Sequence, residues 1–158
     1  MLARMAPSQP MALNSPSTTL HFPLTQQANA AITQAAEGKS TRLFLNVVGI
    51  VYRQNPGAGY EIYLNPPAGT VPDRGSAHYA GVLHFYGLKE AAEASGKPAE
   101  ASFEITDQVR QLMQAHQWPA QDLTITFVRR APQDASGQQS GQSPQGIPTI
   151  SALEITAE

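Results

Sequence analysis

Cysteine is absent from all 158 residues, which excludes a disulfide framework and any thiolate metal site and leaves the redox compartment unread. Charge is scarce too: 14% of residues are Asp, Glu, Lys or Arg, against roughly 25% in an average soluble domain. The balance of 10 basic and 12 acidic residues gives a formal net charge of −2, so there is no dense basic surface to displace counterions from a nucleic acid. No nucleic-acid partner is expected. No apolar run approaches the ~20 residues that span a bilayer, and Met1 to Leu13, broken by Pro7 and Pro10, lacks the apolar core of a signal peptide. The expectation is a soluble chain with no membrane partner and an unassigned localisation. Ala6 to Thr19 reads as an interdomain linker rather than a natural beginning.

Nucleophilic and phosphate-binding motifs are missing as well. There is no Gly-x-Ser-x-Gly elbow, and Ser102 and Ser151 have no histidine near them in sequence. Gly57 and Gly59 occupy a turn that no helix follows, so they do not cradle a phosphate. Glu61, Asp73, Glu104, Asp107, Asp122 and Glu154 fall on solvent-facing strand positions, caps and turns, where solvated structural acids belong. The four histidines, His21, His78, His84 and His116, form no pair at helical spacing. His78 and His84 are the weak metal candidates; on one extended strand they stand about 20 Å apart at ~3.3 Å per residue, too far to share an ion. Met1, Met5 and Met11 with His21 have the softness to hold Cu(I), but they read as linker residues.

What the sequence does contain is turn chemistry and strands, with 12 glycines and 13 prolines. Residues 1–17 are small, polar or proline and read as a flexible linker. Residues 18–156 read as one domain, with 131–148 a flexible Gln/Ser/Gly/Pro loop. Thr25 to Glu37 spaces Ala28, Ala31, Ile32 and Ala35 for a modest helical face, stopped at Gly38. Leu43 to Tyr52 is apolar at both parities, so both faces of that strand should be covered. Turn residues 55–59 then point to a hairpin with Tyr60 to Asn65. Tyr79 to Phe85 forms a third core strand, Lys89 to Ala101 a surface excursion, and Ser102 to Ile105 a short strand. The stripe Val109, Leu112, Met113 and His116 defines a helix capped by Thr106 or Asp107, with His116 packed. Leu123 to Val128 and Ile150 to Thr156 supply the last strands. The pattern predicts a mainly β fold: an antiparallel β-sandwich of about six to seven strands with one packed α-helix.

Tyr52, Tyr60, Tyr63, Tyr79, Phe85 and Tyr86 gather around the hairpin and third strand, either as core and rim or as a docking face for a partner. The order of these segments resembles the C-terminal domain of plant polyphenol oxidases. Tyr60-Glu61-Ile62-Tyr63-Leu64-Asn65 is similar to that family's Lys-Phe-Asp-Val-Tyr-Val-Asn strand, with Tyr63 and Asn65 identical and Gly59 where the motif has Lys. Tyr79-Ala80-Gly81-Val82-Leu83 resembles its Phe-Ala-Gly-Ser-Phe strand, and 102–116, 123–130 and 150–156 follow its closing strand, helix, strand and strand. The likeness covers 41–156, with 131–148 an insertion.

The resemblance implies a non-catalytic lid that packs over the dicopper site of a tyrosinase-like oxidase and shields it until activation. The family's catalytic domain uses six histidines, so copper is expected in that partner module, on the same precursor or a separate chain, and no cofactor in this one. Tyr52, Tyr60, Tyr63, Phe85 and Tyr86 are the plug or docking candidates that the lid implies. Two alternatives stay open: a stand-alone β-sandwich binding module, and a copper-delivery chaperone using His84.

Overall fold

The doubly apolar run forms β4 (Leu43–Ile50), whose Leu43, Leu45 and Val47 point into the core and are wholly buried. The computed structural model describes residues 1–13, 16–52, 59–67, 74–85, 87–130 and 147–158. On one side β4 pairs with β10 (Ala152–Ala157) and on the other with β7 (Ala99–Glu104); β1 (Ala3–Met5) adds beyond β10. A second sheet takes the order β3 (Ser17–Pro23), β8 (Asp122–Arg130), β5 (Gly59–Leu64), β6 (Tyr79–Leu83). The short strands β2 (Met11–Ala12) and β9 (Thr149–Ile150) pair separately. Every pairing is antiparallel. Seven strands have five or more residues, and the inward rows of both sheets, including Phe22, Leu45, Ile62, Phe127 and Ile155, join in one core. The fold is the expected mainly β antiparallel sandwich.

The expected hairpin does not form. β4 and β5 are consecutive, yet each is flanked on both sides by other strands, and they lie in different sheets. A turn signal shows that the chain reverses, not whether the next strand joins the same sheet or the facing one. Beyond Val48, β4 is bulged, with a register shift between Val48 and Ile50 and Gly49 at φ +71°. A Cβ on Gly49 would lie 2.5 Å from Ser151 Oγ, so both the backbone and the space require glycine.

Three helices are present among the described residues, where two helical segments were expected and one of them as the packed helix. In α1 (Gln26–Glu37) the Thr25 hydroxyl accepts from the Ala28 amide at 3.0 Å, while Ile32 and Ala36 face the core. Gly38 closes it with an ordinary negative φ; the carbonyls of Ala36 and Gly38 are instead met by the Arg110 guanidinium from α3 (Thr106–Gln114). Within α3, Val109 and Leu112 are buried. Thr106 or Asp107 was expected to cap α3, but neither side chain does; the Thr106 hydroxyl accepts from the Leu43 amide of β4 at 2.8 Å, tying the helix to the strand. His116, expected in the apolar stripe, is exposed at φ +56° just past the helix end. The missed helix, α2 (Leu88–Ser95), lies between left-handed Gly87 and Gly96 and sets only Leu88 and Ala92 against the core. Two apolar positions give too little periodicity to read.

The segment expected to be a linker, 1–17, contributes β1 and β2, and Leu13 within it is 1% exposed. Its pairing with β10 and β9 rests on backbone hydrogen bonds, which leave no trace in composition. Met5 and Met11 pack partly against the core. Of the predicted loop 131–148, residues 131–146 lie outside the described residues. No helix among the described residues is long and apolar enough to cross a membrane.

Candidate functional site

β5 alternates as a strand between two environments must. Tyr60, Ile62 and Leu64 enter the core, and Glu61, Tyr63 and Asn65 occupy the opposite face. On the core side the Tyr60 hydroxyl donates to the Leu13 carbonyl at 3.0 Å. Its ring meets Phe85 edge-on at 5.8 Å, and Phe85 meets Tyr52 at 5.3 Å. The Tyr52 hydroxyl donates to the Phe85 carbonyl at 2.8 Å. Tyr60, Tyr63 and Phe85 are 2%, 1% and 3% exposed, and Tyr52 is half-buried. These rings therefore pack the sandwich instead of offering an outward face, because edge-on aromatic pairing and area burial reward the interior. Tyr86 lies outside the described residues.

On the outer side the Tyr63 hydroxyl donates to Glu61 Oε2 at 2.5 Å, and Arg74 donates through Nε and Nη2 to Glu61 Oε1 at 2.9 and 2.8 Å. Glu61, expected to be solvated, has a side chain only 12% exposed. Tyr79 tilts against Tyr63 at 5.5 Å. Burial, and then the Glu61 carboxylate, pushes the Tyr63 phenol well above its usual value; burial also raises Tyr60, against the opposing charge of Arg129. Arg74 escaped the sequence reading. The available signal was a single Arg in a loop, opposite two polar residues at i, i+2 on one strand face.

A titration consequence follows. Both phenols stay protonated in the folded chain beyond pH 10, where an unfolded tyrosine ionises. Their contribution to stability is complete below pH 10 and is lost as pH rises from there through the folded values. Urea midpoints measured between pH 8 and 11.5 are expected to stay level and then fall above about pH 10, with a shallower fall in Tyr63→Phe.

Asn65 ends β5 at φ +46°, a conformation that Asn tolerates better than most residues. Its amide donates to the Thr124 carbonyl at 2.7 Å, and its Nδ2 to the Gln117 carbonyl at 2.8 Å. It thereby fastens β5 to the turn that follows α3. At Gly59 a Cβ would stand 2.8 Å from Val82 Cγ1 and 3.3 Å from the Leu83 carbonyl, so close approach of β6 accounts for glycine there. The matching residues of this motif are used structurally.

The two histidine candidates are kept apart. His78, 7% exposed, holds its Nδ1 2.8 Å from the Leu64 carbonyl; a carbonyl only accepts, so Nδ1 carries the proton. His84 is exposed and follows the far end of β6. Among the described residues no group of three or more His, Asp or Glu is placed to hold a metal ion. His21 is engaged by Asp122 at 3.1 Å. A groove of about 890 Å³ runs beside α1, but its Asn29 is occupied in holding Trp118 Nε1 at 2.8 Å and the Ala120 carbonyl at 3.1 Å.

The fold and its contents thus define an antiparallel β-sandwich domain built around structural polar ties. A recombinantly expressed latent aurone synthase (polyphenol oxidase) shares it with a TM-score of 0.54 and 14% identity, over 96% of this chain and 26% of that one. Latent aurone synthase (polyphenol oxidase) from natural source gives a TM-score of 0.52 and 13% identity, over 94% of this chain and 26% of that one. The chain therefore spans about a quarter of the length of these proteins. It belongs to the family described as domain of unknown function (DUF7868), which it matches over residues 5–140. No curated protein matches it.

Proposed function

We propose that this chain is a non-catalytic lid of a polyphenol-oxidase-like enzyme, packing over the entrance of a dicopper module and regulating its activation. The observation that carries the reading is the match in extent: 96% of this chain is used by a fold that makes up 26% of a latent polyphenol oxidase. The chain's own chemistry agrees. Glu61, Tyr63, Asn65 and His78 are engaged in hydrogen bonds within the fold, and the four histidines fall short of the six of a dicopper centre. Copper belongs in the partner, on the same precursor or a neighbouring chain. Tyr60, Tyr63 and Phe85 are interior, which leaves Tyr52 and Tyr86 as the plug candidates of this reading.

The test is to add the full chain to the dicopper module encoded with it or beside it and to follow phenol oxidation. Activity is expected to fall to a floor at one chain per module and to return after limited proteolysis of the chain. A module that oxidises phenol at an unchanged rate, with no complex on size-exclusion chromatography, would remove the lid reading.

A further inference from the structure

The inward row of β8, Leu123, Ile125 and Phe127, is wholly buried. Period-two alternation puts Arg129 next in that row, where a fourth apolar residue would be expected. Its neighbours on the same face come from both flanking strands. Tyr60 of β5 stands directly opposite Arg129, and Thr18 of β3 stands opposite Phe127, one step along the row. This is the end of the sandwich away from α1, which follows Pro23 at the other end of β8. Arg129 Nε and Thr18 Oγ1 are buried there without a hydrogen-bond partner, and no other side-chain polar atom among the described residues is left so. The Leu13 carbonyl nearby is already engaged by the Tyr60 hydroxyl.

The other arginines whose side chains are described each meet a carboxylate: Arg4 at Glu154, Arg42 at Glu104, Arg74 at Glu61 and Arg110 at Asp107, between 2.8 and 3.6 Å. Arg129 meets none among the described residues, and the inward rows of β3, β8 and β5 around it hold no acidic residue and no second basic one. Its charge is felt at the Tyr60 phenol. A guanidinium turned inward costs free energy unless an acceptor meets it, and buried groups of this kind are normally paired. The residue as a whole is half-buried, so its terminal nitrogens reach solvent while Nε lies inside.

We propose that Arg129, with Thr18 beside it, is a binding site for a monocarboxylate, entered from the surface at the end of the sandwich. This is independent of the lid reading. Nε together with a terminal nitrogen is an edge of the guanidinium that a planar carboxylate takes in bidentate form. The Thr18 hydroxyl can donate to the same group. A carboxylate meets the solvent-facing nitrogens first, and the arginine's flexible stem lets Nε turn toward the second oxygen. One positive charge balances one negative charge; the row holds no second cation for the further charge of a phosphate. The carboxylate can belong to a free organic acid or to an acidic side chain of a polypeptide.

The experiment follows the arginine Nε–H signals of the isotope-labelled full chain by NMR while sodium acetate, sodium phosphate or sodium chloride is added at constant ionic strength. The loss of one signal in Arg129→Lys assigns it in the parent. Acetate is expected to move that signal saturably, with a dissociation constant of about 10 mM, the weak end of the affinity scale, and chloride to leave it in place. Read at the Tyr60 amide, Arg129→Lys and Thr18→Val are each expected to weaken acetate about fivefold, and Arg42→Gln, on the other sheet, less than about twofold. Each variant is first matched to the parent in Trp118 emission; if Arg129→Lys does not fold, Thr18→Val and the parent's own signals decide. Acetyl-aspartyl amide binding about tenfold tighter than acetate assigns the carboxylate to a polypeptide, and equal binding assigns it to a free acid; both support the site. No saturable shift below about 100 mM acetate, the same shift with chloride, or acetate binding unchanged in Arg129→Lys and Thr18→Val overturns the site. Phosphate binding tighter than acetate overturns the choice of a monocarboxylate.

Discussion

Gly81→Ala is expected to destabilise the chain by about 3 kcal/mol, the sum of backbone strain and steric overlap. Gly81 has φ +147°, a region that side-chain-bearing residues rarely adopt. A Cβ there would stand 2.8 Å from Phe103 Cδ1 and 3.3 Å from its Cε1. The glycine is thus where an outer strand of one sheet, β6, crosses an outer strand of the other, β7, with the Phe103 ring between them. Urea unfolding followed by Trp118 fluorescence measures the loss, which is a large share of the ~5–15 kcal/mol of a typical domain. Adding Phe103→Leu to Gly81→Ala should recover the steric part and leave the backbone part. A Gly81→Ala chain as stable as the parent would show that the two sheets do not approach here as described.

Tyr60→Ala is expected to cost about 3–5 kcal/mol, the range for emptying an aromatic site in a close-packed core. The ring is 2% exposed and packs edge-on against Phe85 at 5.8 Å, so truncation leaves a cavity and strands a partner ring. Tyr60→Phe separates packing from polarity. It keeps the ring but removes the donor to the Leu13 carbonyl at 3.0 Å, and it should cost about 1–2 kcal/mol through the unpaired buried acceptor. The series also distinguishes a core residue from a plug. A plug would alter inhibition of an oxidase and leave unfolding unchanged, whereas Tyr60 should move the urea midpoint in proportion to what is removed.

The resemblance in the Tyr60 to Asn65 segment was legible because it combines two independent local signals. Period-two alternation places Tyr60, Ile62 and Leu64 on one face, and Asn followed by two prolines ends the strand. Its partners were not legible. Arg74 lies thirteen residues from Glu61, and Leu13 lies 47 from Tyr60; neither distance leaves a mark on composition or periodicity. The same holds for Arg110, which reaches back more than 70 residues to the last carbonyls of α1. Aromatic clustering in sequence left core and docking face both open, and the structure buries Tyr60, Tyr63 and Phe85. Local hydrophobicity shows that side chains seek cover, not whether this chain or another supplies it.

By itself the sequence determined the class of fold, the positions of β4, β5, β6, β8 and β10, two of the three helices and the absence of thiol chemistry. These follow from propensity, alternation and residue inventory, which act over a few neighbours. Only the tertiary structure decided that β4 and β5 belong to different sheets, that the first seventeen residues supply strands, and which face of β4 joins the core. Those outcomes depend on backbone pairing and close packing between distant segments, whose energies arise only once the chain has brought them together.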